Sequence, residues 1–383
     1  MGKRFIPVAA PMLVGNEKAY VTDCLESTWI SSSGQYVGRF ESEFADFCGV
    51  KYAVTCCNGT AALHLALSAL GVGPGDEVIV PTLTFVATAN AVVQCGARPV
   101  FVDSEAETWN MDPTLIAAKI TPRTKGIVVV HLYGHPVDMD PIMSTARRHG
   151  LFVVEDAAEA HGAEYKQRKV GSIGDLGTFS FYGNKILTTG EGGMVTTNDS
   201  TLATKVRQLK GQGIDANRRY WFPIIGYNYR MTNVAAAIGL AQLEKSQWHI
   251  GRRLEVAGWY RDQLRAVPGV TGQAEQQWAK HAYWMFTVML AEPVQLQRDD
   301  VISMLLQDGI ETRPVFYPIH ILPPYAHSAP GESFPTAERI AERGISLPTW
   351  AGLSYDDVSY VCSSLAECLS ASAERLRHAP GAP

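Results

Sequence analysis

Phe179-Ser180-Phe181-Tyr182-Gly183-Asn184-Lys185-Ile186-Leu187-Thr188-Thr189-Gly190-Glu191-Gly192-Gly193 sets one lysine between an apolar, strand-like run and a glycine-rich turn. Desolvating an ammonium is costly, so lysine is scarce in such surroundings. A lysine held there gives up its proton more readily and becomes a nucleophile toward a carbonyl, as a Schiff base requires. The stretch also fits a strand-end lysine whose head stays in water. Lys185 therefore needs a partner elsewhere in the chain to decide the reading.

That partner lies upstream, in Leu151-Phe152-Val153-Val154-Glu155-Asp156-Ala157-Ala158-Glu159-Ala160-His161-Gly162. The apolar run Leu151 to Val154 reads as a buried parallel strand with its carboxylates at the C-terminal end. Ligands of open α/β sheets bind at that end. A lysine for a Schiff base and an aspartate for a protonated pyridine nitrogen are two of the three groups that pyridoxal phosphate asks of a protein. The third is a phosphate cup. Tyr52-Ala53-Val54-Thr55-Cys56-Cys57 reads as a strand running into a helix at Asn58-Gly59-Thr60-Ala61-Ala62-Leu63-His64. Gly59 and Thr60 would offer free N–H groups and a hydroxyl to an anion there. The cup signal is weak alone, since many helices begin this way. Asn58-Gly59-Thr60 is also a glycosylation sequon, but a strand-to-helix turn is a poor acceptor.

The rest of the chain is compatible with an enzyme of that kind. Its 383 residues suffice for a large core and usually divide into two domains. With 46% hydrophobic and 19% charged residues the composition is that of an ordinary globular protein. A net charge of -5 argues against a nucleic-acid footprint. The seven cysteines show no metal-type spacing, and Cys56-Cys57 alternate faces in a strand, which suits a reducing cytoplasm. No apolar stretch follows Met1-Gly2-Lys3-Arg4 as in a signal peptide, and none is long enough for a membrane span.

Strands are expected at Glu77–Pro81, Ala97–Asp103, Gly126–Tyr133 and, continuing the βαβ rhythm, Gly193–Thr197, with a helix over Pro141–His149. This is an α/β class with a large, mostly parallel sheet sandwiched by helices. One helical stretch is expected over Asn233–Leu264. Beyond it the elements shorten and proline becomes frequent. The expected division is 1–250 as a large domain and 251–383 as a smaller C-terminal α+β domain, with a fraying tail from Ala371 to Pro383. Gly71-Val72-Gly73-Pro74-Gly75-Asp76 precedes a strand and reads as a turn, not a dinucleotide loop.

From about Pro7 to about Cys368 the chain resembles the DegT/StrS-type sugar aminotransferases, fold-type I pyridoxal phosphate enzymes that act on nucleotide-linked keto sugars. The resemblance is carried by Ser27-Thr28-Trp29-Ile30-Ser31-Ser32, His131-Leu132-Tyr133-Gly134-His135-Pro136, Phe181 to Lys185, Ile225 to Asn233, and Glu311-Thr312-Arg313-Pro314-Val315-Phe316-Tyr317-Pro318. It implies Lys185 as the Schiff-base lysine and Asp156 as partner of the ring nitrogen. Glu159 would be a polar contact near the ring hydroxyl. Gly59, Thr60 and Ser180 would form the phosphate cup, and Phe85 would stack on the pyridine ring. Asn228 would reach the phosphate of the neighbouring subunit's site, making the active site a property of a homodimer. Some of these residues keep a plainer local reading. Phe85 reads as core, Ser180 as an alternating strand position, Asn228 as a turn former and Glu159 as a surface carboxylate. His131, His135 and His161 lack metal spacing and read as hydrogen-bonded structural residues or as contacts behind the site residues.

The resemblance further implies L-glutamate as amino donor and pyridoxamine phosphate as the intermediate cofactor form. It suggests a GDP-linked keto sugar as acceptor, GDP-4-keto-6-deoxymannose first, with a 3-keto-6-deoxymannose or keto-octose as the alternative. Sugar 3-dehydratases of similar fold carry histidine at the lysine position, so Lys185 favours amino transfer. Trp29, Ser31, Arg230, Arg313 and Tyr317 are the candidate substrate contacts; Arg218 and Arg219 are candidates too, or a solvated loop. A non-catalytic sensor of the same fold and a free amino-acid aminotransferase are the other classes compatible with the residues.

Overall fold

The computed structural model describes residues 4–291 and 294–377. In chain order the strands are β1 (Tyr52–Cys56), β2 (Glu77–Pro81), β3 (Arg98–Val102), β4 (Thr124–Val130), β5 (Phe152–Asp156), β6 (Glu164–Tyr165), β7 (Arg168–Lys169), β8 (Leu176–Ser180), β9 (Gly193–Thr197), β10 (Val270–Gly272), β11 (Ala279–Lys280), β12 (Phe286–Leu290), β13 (Arg313–Pro314) and β14 (Gly344–Leu347). The helices are α1 (Glu17–Glu26), α2 (Gln35–Cys48), α3 (Gly59–Ala69), α4 (Ala87–Gln94), α5 (Met139–His149), α6 (Ser200–Lys210), α7 (Asn233–Glu244), α8 (Ser246–Leu264), α9 (Arg298–Gln307), α10 (Pro335–Arg343) and α11 (Tyr355–Arg377).

The central sheet runs β1-β9-β8-β5-β4-β2-β3. Its strands from β8 to β3 are parallel to one another. Here the strand rhythm read from the sequence misleads at one place. β9 does not continue a βαβ unit; it lies antiparallel to both β8 and β1. The chain between β8 and β9 is the Lys185 loop, with no crossover helix, so it can only turn back. A second sheet, β10-β12-β14-β13, is antiparallel throughout.

Helix α2 shows the usual amphipathic logic. Tyr36, Phe40, Phe44 and Cys48 are buried at four-residue spacing, and Gly49 ends the helix in the left-handed region. Helix α3 is buried almost all round, because it lies under the sheet. The expected single helix over 233–264 is two helices that break at Lys245. The change of core comes after the break, inside α8: Ile250 still packs in the core under the central sheet, and Val256, Ala257, Tyr260 and Leu264 in the core of the second sheet. The chain after 250 also returns Val315, Ile319, Tyr325 and Phe334 to the first core. The backbone of the expected fraying tail is helical to Arg377, and residues 378–383 lie outside the described residues. Among the described residues no helix is long and apolar enough to cross a membrane.

Candidate active site

β1 and β8 run in the same direction, because each is antiparallel to β9. The C-terminal ends of β1, β2, β4, β5 and β8 therefore share one edge of the sheet. A cavity of about 490 Å³ opens at that edge. Gly59 and Thr60 reach it after β1, Phe85 after β2, Asp156 and Ser180 as the last residues of β5 and β8, and Lys185 from the loop beyond. Its lining thus gathers Gly59, Thr60, Phe85, Asp156, Glu159, Ser180, Lys185 and Arg313.

Asn58 caps α3 by accepting the Ala61 N–H at 2.8 Å. The N–H groups of Gly59 and Thr60 open the helix and have no intrahelical acceptor. A Cβ on Gly59 would lie 2.6 Å from the Ser180 Cβ, so glycine alone lets the helix start this close to the strand end.

The adjacent carboxylates Glu155 and Asp156 face opposite sides of β5 and meet opposite fates. Burial would raise Glu155, but His131 at 3.0 Å and the Gly171, Ile173 and Gly174 N–H groups hold it below the usual carboxylate range. The Asp156 carboxylate accepts the Thr88 hydroxyl at 2.8 Å and the Ala158 N–H at 3.2 Å. Burial outweighs these bonds and pushes its pKa up.

Lys185 is held by its loop. Its N–H donates to the Tyr182 carbonyl at 2.9 Å, and its neighbours Ile186 and Leu187 are buried. The side chain is 11% exposed, with Nζ 3.7 Å from Glu159 Oε1 and 3.7 Å from the centre of the Trp284 ring. Burial pulls the lysine below its usual range against the attraction of Glu159 and Asp156. Burial likewise pushes Glu159 up to about 7, although Lys185 and the Tyr133 N–H, 2.8 Å away, favour its charged form. Burial thus raises the acid and lowers the base, which narrows the gap between the two facing groups.

The other expected residues are not in the cavity lining. Trp29 and Ser31 lie in an exposed loop, tied by their carbonyls to Asn233 of α7. Asn228 and Arg230 are exposed and bonded to each other at 3.1 Å. Their segment runs past the cup, where the Cys57 N–H donates to the Tyr229 carbonyl at 2.8 Å. Tyr317 points away, into a neighbouring cleft, where its hydroxyl accepts from Arg298 at 3.2 Å. Arg218 packs on Trp221 in an exposed loop. Residues given no role from the sequence complete the site: Trp284 and Phe316 line the cavity, buried Tyr133 stacks on both, and Thr88 donates to Asp156. Tyr133 and Phe316 lie inside motif segments, but nothing local marks Trp284 within the apolar run Ala282–Phe286.

The donor set fits pyridoxal phosphate. A carboxyl whose pKa burial has raised suits a protonated pyridine nitrogen, and the open N–H groups of α3 suit the phosphate. Thr60 and Ser180 add hydroxyls to that end of the cavity.

Comparison with known proteins agrees. Residues 11–366 match the DegT/DnrJ/EryC1/StrS aminotransferase family, and the chain belongs to it. It is 56% identical over 365 residues to the GDP-perosamine synthase of Caulobacter vibrioides, covering 95% of this chain and 98% of that one. The GDP-perosamine synthase of Escherichia coli O157:H7 is 50% identical, covering 96% and 99%. Among solved structures, the aminotransferase TlmJ of Streptoalloteichus hindustanus superposes with a TM-score of 0.90 at 34% identity, covering 96% of this chain and 99% of that one. The protein is a pyridoxal phosphate-dependent aminotransferase.

Proposed function

We propose that the chain moves an amino group from L-glutamate to a GDP-linked keto sugar, GDP-4-keto-6-deoxymannose before others, giving GDP-perosamine. The identity of 46% to 56% with three GDP-perosamine synthases over nearly full length supports the acceptor. The observation that carries the chemistry is the buried Lys185 facing Glu159 in a cavity that also holds Asp156 and the start of α3.

Bound pyridoxal phosphate would supply the carbonyl for Lys185 and an electron sink for the donor's Cα–H bond. Asp156 would keep the ring nitrogen cationic, and Gly59, Thr60 and Ser180 would hold the phosphate. Phe85 would pack on the ring, and Glu159 would contact its hydroxyl. Lys185, once released, would take the donor Cα proton and return one during the sugar half-reaction. Arg313, half exposed at the rim, would meet an anionic part of a substrate. Trp29, Ser31, Arg230 and Tyr317 remain candidate substrate contacts from outside the cavity of their own chain.

A homodimer with shared sites completes this reading. Tyr220, Trp221, Phe222 and Ile225 are exposed in the segment that leads to Asn228, an apolar patch that a second copy would cover. In the same reading residues 1–250 form the cofactor domain, and 251–383 a smaller unit lending Trp284, Arg313 and Phe316 to the wall. The enzyme would work in the cytoplasm.

The test is a glutamate-dependent reaction with GDP-4-keto-6-deoxymannose, the sugar nucleotide read by mass. An amino sugar is expected. Conversion of the cofactor by glutamate without sugar product would refute this acceptor and direct the search to 3-keto or longer GDP sugars.

A further inference from the structure

Trp284 meets Lys185 in a way that a plain wall residue would not need. The ammonium nitrogen lies over the indole face, 3.7 Å from the ring centre. The indole N–H donates to the carbonyl of Asn184, the residue before the lysine, at 2.9 Å. Ring and lysine are thus registered against each other.

The ring is fixed from behind as well. The Trp284 N–H donates to the Tyr133 carbonyl at 3.0 Å, and its own carbonyl accepts from Arg253 at 2.8 Å. The indole stacks on Tyr133 at an interplanar angle of 11°, and Tyr133 stacks on Phe316 at 16°. Tyr133 adopts φ +56°, a strained conformation for an aromatic residue. That strain lets one residue hold three others. Its N–H holds Glu159, its carbonyl holds Trp284, and its hydroxyl accepts the Phe316 N–H at 3.1 Å. Gly134 follows at φ +103°, where a Cβ would press 2.9 Å from the Tyr283 nitrogen.

We propose that Trp284 is a positioning residue that receives the amine of Lys185 whenever the lysine is released from the cofactor, holding it between the indole face and Glu159. The proposal rests on the role given to Lys185 above. An ammonium is attracted to the negative face of an indole, most strongly where water is excluded. The contact favours the protonated lysine and so opposes the desolvation that draws its proton off. The charged and titratable groups around the amine are Glu159, Asp156, Arg253 and His161. The carboxylates favour the ammonium and Arg253 disfavours it. His161 has a pKa lowered to about 3 by burial and stays neutral through the working range. The indole therefore adds to the carboxylates in stabilising the lysine, and holding it in place, once it has taken up a proton.

The experiment titrates Lys185 in the pyridoxamine phosphate form of the holoenzyme, where the lysine is free. Trace acetic anhydride is applied between about pH 6 and 10, and the Lys185 peptide is quantified by mass. Wild type, Trp284→Phe and Trp284→Leu are compared. The expected order of midpoints is wild type highest, Phe next and Leu lowest, with about one pH unit between the extremes. The Leu variant should lose about tenfold in kcat with the KM for the amino donor unchanged, since only the free lysine is displaced. Coincident midpoints, or a higher midpoint in the Leu variant, overturn the proposal. Should the Leu variant not fold, a Phe midpoint equal to wild type, within error, overturns it as well. Protection of Lys185 in the pyridoxal form separately checks the lysine's role. Equal labelling in both forms would refute that role, while the midpoints would still decide the contact with Trp284.

Discussion

The Thr88 hydroxyl donates to Asp156 Oδ2 at 2.8 Å, with both residues buried. It is the side-chain donor that steadies a carboxylate which burial disfavours. Thr88→Val keeps the shape and removes the bond. A lost hydrogen bond to a charged group costs about 1.5–3 kcal/mol, so pyridoxal phosphate affinity should fall roughly 10- to 100-fold. Fluorescence titration of cofactor-free protein measures it. An unchanged Kd would mean that Asp156 does not depend on Thr88.

Glu159 supplies a pH signature. Burial places its pKa at about 7 in the folded chain, against 4.5 for an ordinary glutamate. Between these values the folded chain keeps a proton that the unfolded chain has released. The folded state is therefore favoured at low pH, and that advantage is lost as pH rises to about 7. Glu159→Gln does not titrate. Relative to wild type, the variant should gain up to about 3 kcal/mol between pH 4.5 and 7. Urea unfolding of the cofactor-free proteins across that range reads the difference. A flat difference would place the Glu159 titration elsewhere.

Phe44 is fully buried, with ring centres 5.0 Å from Phe179 and 5.4 Å from Phe181. These rings anchor the strand end from which the Lys185 loop departs. Phe44→Ala should cost about 3–5 kcal/mol in denaturant unfolding, by cavity formation. A loss below about 1 kcal/mol would mean that the cluster repacks around the gap.

The shared-site reading predicts complementation. Lys185→Ala and Asn228→Ala should each be inactive or nearly so as pure dimers. Mixed and reassembled, they should regain about a quarter of wild-type turnover, since half the dimers then hold one intact site. A mixture as dead as its components would show that Asn228 acts within its own chain or not at all.

Much of this site was legible in the chain because its signals are local. The apolar run ending at Asp156, the helix opening at Gly59 and the lysine set in an apolar segment each express burial or capping over a few neighbouring residues. A parallel sheet then brings such strand ends to one edge, so three local signals imply one cavity. Where neighbours did not constrain the outcome, the reading slipped. The segment Gly193–Thr197 looks like any buried strand, and its antiparallel direction depends on the length of the loop before it. The run from Asn233 to Leu264 is helical by pattern, and nothing in that pattern marks its break at Lys245.

The sequence alone determined the α/β class and the cofactor chemistry, and it pointed to Lys185 and Asp156, which the fold brings into one cavity. The tertiary structure decided what surrounds the lysine. It turned Tyr317 toward Arg298 and brought Trp284 from the far part of the chain onto the Lys185 amine. Contacts of that kind depend on packing and on backbone bonds such as that between Trp284 and Tyr133. No local periodicity encodes them, because the residues that meet are joined only by the folded core.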